Sequence, residues 1–477
     1  MEQKKGALQK VTNKLNRVEN LISLTNKIIK SGICQADWIW WNSLSEIWKK
    51  IFNAEIGKIT DRPKEYSASH VSEYGLTDKP DDDELKQILE LEKVEYSFNY
   101  GVGHRLNNIK PLIALCNLKE LILTSNKIDD ITPLRFLNKI ESLQLNNNQI
   151  TDINSLGKLK ELKHLYLSRN QISNINSLSN LKNLRCLELY TNKIEDITPL
   201  EDLYKLDSLN ISDNNIKDIS PLKNLTNLKL LSLFGNYIQS TKSICNHSKL
   251  KSLSLSSNRV ELVNYIFNMP YLETLSFYKS KLSDLIFLKN LTNIKSLSLG
   301  ENNIDNISPI CDLKKLESLN LSYNKLSNLN SLKNLNNLES LSLQGNNITD
   351  ISPICELNKI ERLNLSNNQL SDLSFLKNLN NIKSLCLRIN NITDISPIFE
   401  LNKIESLFLE DNQILNIKVL TQLYNLKTLF LVGNKISDIT PLFNLKNLKH
   451  LKLENNNIDY NKIQELKIAL PNCSIKH

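Results

Sequence analysis

The chain has 477 residues, 40% of them hydrophobic but only 6% aromatic, so any sizeable core must be built from aliphatic side chains. The net charge of +8 is spread as single lysines beyond residue 93, since residues 1–93 carry equal numbers of acidic and basic side chains; this excludes the clustered basic footprint of a nucleic-acid-binding protein. No run approaches the roughly 18 apolar residues of a membrane helix, and the opening "MEQKKGALQKVTNKLNRVEN" has neither an apolar h-region nor a small-residue cleavage site, which predicts a cytoplasmic protein with no membrane span.

Residues 1–93 form a helical N-terminal cap region without internal repetition. Over 6–30, Leu8, Val11, Leu15, Val18, Ile22 and Ile29 follow a seven-residue spacing broken at Thr25. That pattern predicts a helix packed on the rest of this region, with self-association through 6–30 and membrane-surface binding as alternatives. "DWIWWNSLSEIWKKIF" holds all four Trp, at 38, 40, 41 and 48, and places Trp41, Leu44, Trp48, Ile51 and Phe52 on one helical face. The first unit of a repeat stack exposes an apolar end, and this face is expected to cover it. The stretch 58–80 is polar and irregular and reads as a mobile loop. "KPDDDELKQILEL" then gives an acidic helix start followed by Leu85, Ile88 and Leu89.

From 118 to 457 one pattern returns. "LKELILTSNKIDDITPL" at 118–134 reappears as "IESLQLNNNQITDINSL" at 140–156, and Asn recurs every 22 residues or a multiple of 22, from Asn126 to Asn456, with Ser280 in the one missing slot. Counting Leu118 as position 1, apolar residues fall at 1, 4, 6, 11, 14, 17 and 20, with Asn at 9. Positions 4 and 6 alternate with variable residues, which is strand periodicity. Positions 11–20 are punctuated by Pro and suit an extended segment ending in a short helical or 3₁₀ turn. No such unit buries its apolar side alone; stacking joins the leucines into one core and aligns the strands as a parallel sheet. A buried Asn at position 9 is expected to satisfy backbone groups where the chain leaves the strand. Residues 94–117 align through Pro111 as a degenerate first repeat, and 458–477 supplies a C-terminal capping helix and tail.

The motif LxxLxLxxNxIxDIxPLxxL resembles the leucine-rich repeat in its 22-residue form, similar to the repeats of bacterial internalins and of eukaryotic phosphatase regulators, over residues 118–475. The resemblance implies an α/β repeat solenoid, a curved stack with a parallel sheet on its concave face, and a role as a recognition scaffold. Within it, repeats over 302–412 alternate with a 44-residue period, while 236–288 loses the "DIxPL" signature, carries Phe277 in a core slot and reads either as a reshaped convex side or as a weak point. The eight Cys form no CxxC, and Cys311 and Cys355 sit two repeats apart, about 10 Å, beyond the roughly 7 Å that a disulfide spans; this fits a reducing compartment.

Inward-facing positions 3, 5, 7 and 8 have no core duty and are the natural binding surface. The central repeats show mostly Ser there. One richer group holds His164, Tyr166, Arg169, Cys186, Glu188, Tyr190 and Phe234; the other holds Arg362, Arg388, Phe408, Glu410, Asp411, Phe430 and Val432. Aromatics beside Arg are the usual composition of protein-binding hot spots. The function expected is non-catalytic binding of a protein partner through the concave face, with an exported, internalin-like adhesin or effector as the alternative. A cysteine-dependent enzyme built on Cys186, His164 and Glu188 is the remaining alternative, on a face open to water. No cofactor, catalytic or metal residue is assigned.

Overall fold

The computed structural model describes residues 33–58, 76–98, 105–261, 263–267 and 269–477. The helix expected over 6–30 and most of the stretch 58–80 lie outside them. The chain forms two compact units, Met1–Leu228 and Lys229–His477.

The described part of the first unit begins with two helices rather than one: α1 (Gln35–Ser43) and α2 (Glu46–Glu55). The break falls at Leu44, whose extended backbone ends α1, and Ser45 begins α2. Trp41, Trp48, Ile51 and Phe52 are buried. The indole N–H of Trp48 donates to the Asn108 carbonyl at 2.9 Å and that of Trp40 to the Pro111 carbonyl at 3.3 Å, so the tryptophans seat on the first repeat turn. α3 (Asp82–Leu89) starts on a reciprocal cap in which Asp81 accepts from the Glu84 amide and Glu84 accepts from the Asp81 amide, each at 2.8 Å. Leu85, Ile88 and Leu89 are buried beneath it.

Strands β1 (Lys93–Glu95), β2 (Glu120–Ile122), β3 (Ser142–Gln144), β4 (His164–Tyr166), β5 (Cys186–Glu188) and β6 (Ser208–Asn210) then pair in parallel, each with the next. In the second unit, β7 (Leu230–Ser232) to β17 (His450–Lys452) continue the same spacing, and β18 (Ser474–Lys476) closes the ladder on β17. Between strands lie 3₁₀ turns such as Thr132–Phe136 and Ser396–Glu400. This is an α/β repeat solenoid with a small helical N-terminal region. Residues at positions 4 and 6, such as Leu165 and Leu167, are 0% exposed, which sends positions 3, 5 and 7 to the opposite face of the sheet.

The position-9 Asn does three jobs at once. In the second unit, the Asn324 side-chain oxygen accepts from the Ile304 amide at 3.0 Å, and its NH₂ donates to the carbonyls of Leu299 and Leu321, both at 3.0 Å. Two of these partners belong to the preceding repeat, so the amide bolts neighbours together where the strand ladder has ended. In the first unit, Asn148 repeats the arrangement with Ile128, Leu123 and Leu145. The residue before each Asn takes a left-handed backbone, as at Asn147, Asp213 and Gly433. Ser280, in the vacant slot, donates to the Leu255 carbonyl at 3.3 Å, keeping one donor function of the amide.

The "DIxPL" signature has an equally local cause. Asp130 accepts from the Thr132 amide at 2.9 Å, capping the 3₁₀ turn, while Ile131 and Leu134 enter the core and Pro133 occupies the turn start. The Thr198 hydroxyl and amide hold the equivalent Asp196 carboxyl below the usual carboxylate range. Position 22 alternates between Asn and Lys over the 44-residue stretch, at Lys315, Asn337, Lys359, Asn381 and Lys403. Asn337 donates to the Lys314 carbonyl at 2.8 Å and accepts from Lys359 at 2.8 Å; Asn381 does the same with Asn358 and Lys403, both at 2.7 Å. In the irregular stretch, β8 (Ser252–Ser254) and β9 (Thr274–Ser276) remain in register, so the departures fall on the turn side. Phe277 fills its core slot edge-on against Phe287, with ring centroids 5.6 Å apart.

At the C-terminus α4 (Tyr460–Ala469) buries Ile463 and Leu466 and starts on the Asp459 side chain, which accepts from the Asn461 amide. No helix among the described residues is long and apolar enough to cross a membrane.

Candidate functional site

Two groups of side chains stand on the strand face, one in each unit. In the first unit, His164 pairs across β4 and β5 with Cys186, and Tyr166 with Glu188. All four are half-buried, and Arg169 is exposed with its guanidinium 5.9 Å from the Tyr190 ring centroid. Burial, with a hydrogen bond shared with Cys186, pushes the Tyr166 hydroxyl up to about 12. Burial also pushes the Cys186 thiol and the Glu188 carboxyl up. A nucleophilic cysteine needs the opposite shift, toward thiolate. The trio therefore reads as a packed polar surface rather than an activated thiol. Phe234, grouped with these residues by sequence, belongs to the second unit, where it is half-buried.

The group in the second unit spans β13 (Arg362–Asn364) to β17. Phe408 on β15 (Ser406–Phe408) and Phe430 on β16 (Thr428–Phe430) occupy the same register and meet edge-to-face, with centroids 5.2 Å apart and an 80° interplanar angle. Both rings are half-buried on the open side of the sheet. The Lys452 ammonium stands 4.1 Å over the Phe430 ring. Arg388 is exposed and places Nε 3.2 Å from Glu410 Oε1, and Arg362 is exposed near Glu361. Asp411 is exposed and lies against Gly433, where an added Cβ would strike its carboxylate.

Glu410 departs from the expectation of an exposed contact residue. It is only 5% exposed. Its repeat slot lies between those of Arg388 and Val432, and the Arg388 guanidinium, one repeat away, stands against its Oε1. Burial pushes its carboxyl up, and burial together with this carboxylate pushes the Cys386 thiol up to about 11.

Sequence reasoning missed Ile389. It sits at position 8, where the backbone is left-handed and Gly, Asn, Asp and Ser recur, yet it is β-branched, with φ 53°, and 49% exposed. Such a residue is strained there, and the mismatch with its slot was the available signal. Ile389→Asn is expected to raise the unfolding free energy by roughly 1 kcal/mol in a urea titration, because Asn tolerates this backbone, while weakening capture of a partner. Equal or lower stability would show that the strain is absent. Sequence reading also passed over two tyrosines among the central serines: Tyr323, which covers Gly345, and Tyr278, whose hydroxyl bonds the Glu301 carboxylate.

The described residues contain no cluster of three or more His, Cys, Asp or Glu placed to hold a metal ion. All eight cysteines are free, half-buried thiols.

Family models described as leucine-rich repeats match residues 116–172, 160–202, 336–378 and 424–468. No curated protein matches the sequence. Among solved structures, an internalin (InlF) of Listeria monocytogenes is 29% identical with a TM-score of 0.52, over 85% of this chain and 94% of that one. A leucine-rich-repeat protein of Leptospira interrogans is 28% identical with a TM-score of 0.64, over 78% of this chain and 93% of that one. The ectodomain of the Arabidopsis thaliana receptor kinase GASSHO1/SCHENGEN3 shares the fold at 23% identity and a TM-score of 0.62, over 80% of this chain and 52% of that one. With its position-9 Asn ladder, its 22-residue strand-and-turn unit and these matches, the chain carries leucine-rich repeats that resemble those of bacterial internalins.

Proposed function

We propose that the protein is a non-catalytic scaffold that binds a protein partner through its strand face, using Tyr166, Arg169 and Tyr190 in the first unit and Arg388, Phe408 and Phe430 in the second. The observation that carries this reading is the Phe408–Phe430 pair, two large rings on the open side of a sheet whose own core is completed by Leu407 and Leu429 beneath them. Rings so placed contribute little to folding and much to an interface that covers them. Exchanging Tyr166, Tyr190, Phe408 and Phe430 together for Ser is expected to leave the melting curve nearly unchanged and to abolish capture of partners from native lysate. A folded variant that retains the same partners removes the proposal.

Two locations fit this role. The free cysteines support a reducing, cytoplasmic setting, and the likeness to an internalin over most of both chains supports an exported adhesin or effector. Immunoblots of cytosol, surface and medium fractions separate them.

A further inference from the structure

Resting on the strand-face reading, we infer that the second unit's cluster takes a basic side chain of the partner, an Arg or Lys, with its stem on the Phe408–Phe430 pair and its donors on Glu410. The carboxylate supplies the reason. Arg388 serves Glu410 Oε1, but Oε2 is buried with no hydrogen-bond partner among the described residues. Glu454, in the same slot two strands on, has a second buried oxygen in that condition. A buried acceptor without a donor is unfavourable until a donor reaches it, and the Arg388 side chain against Glu410 is itself half exposed on this face.

Charge points the same way. Over positions 5, 7 and 8 from β14 (Ser384–Cys386) to β17, the cations are Arg388 and Lys452, and the carboxylates are Glu410, Asp411 and Glu454. One negative charge is left for a partner to match. The Phe430 ring already accepts a cation on its face, that of Lys452, so an incoming guanidinium or ammonium meets surfaces suited to it.

The test is selection of a displayed random peptide library on the full chain, comparing wild type, Glu410→Gln and Phe408→Ser/Phe430→Ser, each checked by its melting curve. Wild type is expected to enrich Arg and Lys, Glu410→Gln to lose that enrichment, and a selected peptide to bind the variant about tenfold more weakly. Free argininamide, but not norleucinamide, is expected to displace the peptide from wild type, which needs no variant to fold. Peptides without basic enrichment that still depend on Phe408 and Phe430 overturn this inference and leave the strand-face reading standing. Peptides indifferent to the phenylalanines overturn both at this cluster, and an empty selection overturns the basic anchor.

Discussion

Asn324→Ala is expected to lower the unfolding free energy of the second unit by about 3–5 kcal/mol, since it orphans one buried N–H and two buried carbonyls at about 1–3 kcal/mol each, with partial relief from relaxation and water. The groups are the Ile304 amide and the carbonyls of Leu299 and Leu321. The loss is cooperative because two of the three belong to the neighbouring repeat, so the mutation weakens an interface as well as a unit. Far-UV circular dichroism in urea reads it, as an earlier or divided transition. Asn324→Asp keeps the acceptor and loses both donors, turning a carboxylate toward two carbonyls, and is expected to be worse than Ala. A cost below about 1 kcal/mol for both would show that the ladder is decoration.

The second large effect is expected in the helical N-terminal region of the first unit. Trp48 is 2% exposed, lies 5.2 Å from the Phe52 ring and donates to the Asn108 carbonyl. Trp48→Ala is expected to cost about 3–5 kcal/mol, the usual range for truncating a buried Trp. Trp48→Phe, which keeps much of the packing and loses the indole N–H, is expected to cost much less. The four Trp all lie at 38–48, so intrinsic fluorescence reports the capped end directly. If Trp48→Ala unfolds at the wild-type urea midpoint, the helical region is not a cap.

How far the fold is legible in the sequence can be judged from particular residues. Leu165 and Leu167 announce a strand by alternation, and Asn170, three positions on, announces where it ends, because a 22-residue register leaves each type one physical task. The two-helix break at Leu44 was not legible: Trp41, Leu44 and Trp48 fit one helical face, and only the extended backbone at Leu44 divides it. The 44-residue period was visible as repetition, but the bonds its position-22 residues make, such as those of Asn337 with Lys314 and Lys359, join residues 22 and 23 apart that meet only in the stack.

By itself the sequence determined the repeat, the parallel ladder, the buried Asn and the set of side chains free to face outward, since each follows from local periodicity and from the need to pair buried polar groups. Tertiary structure alone decided which of the free positions stay open. Glu410 and Phe430 look equally exposed by spacing, yet exposure depends on neighbours one repeat away: Glu410 is buried with the Arg388 guanidinium against its Oε1, while the strand pairing holds the Phe408 and Phe430 rings edge-to-face on the open side.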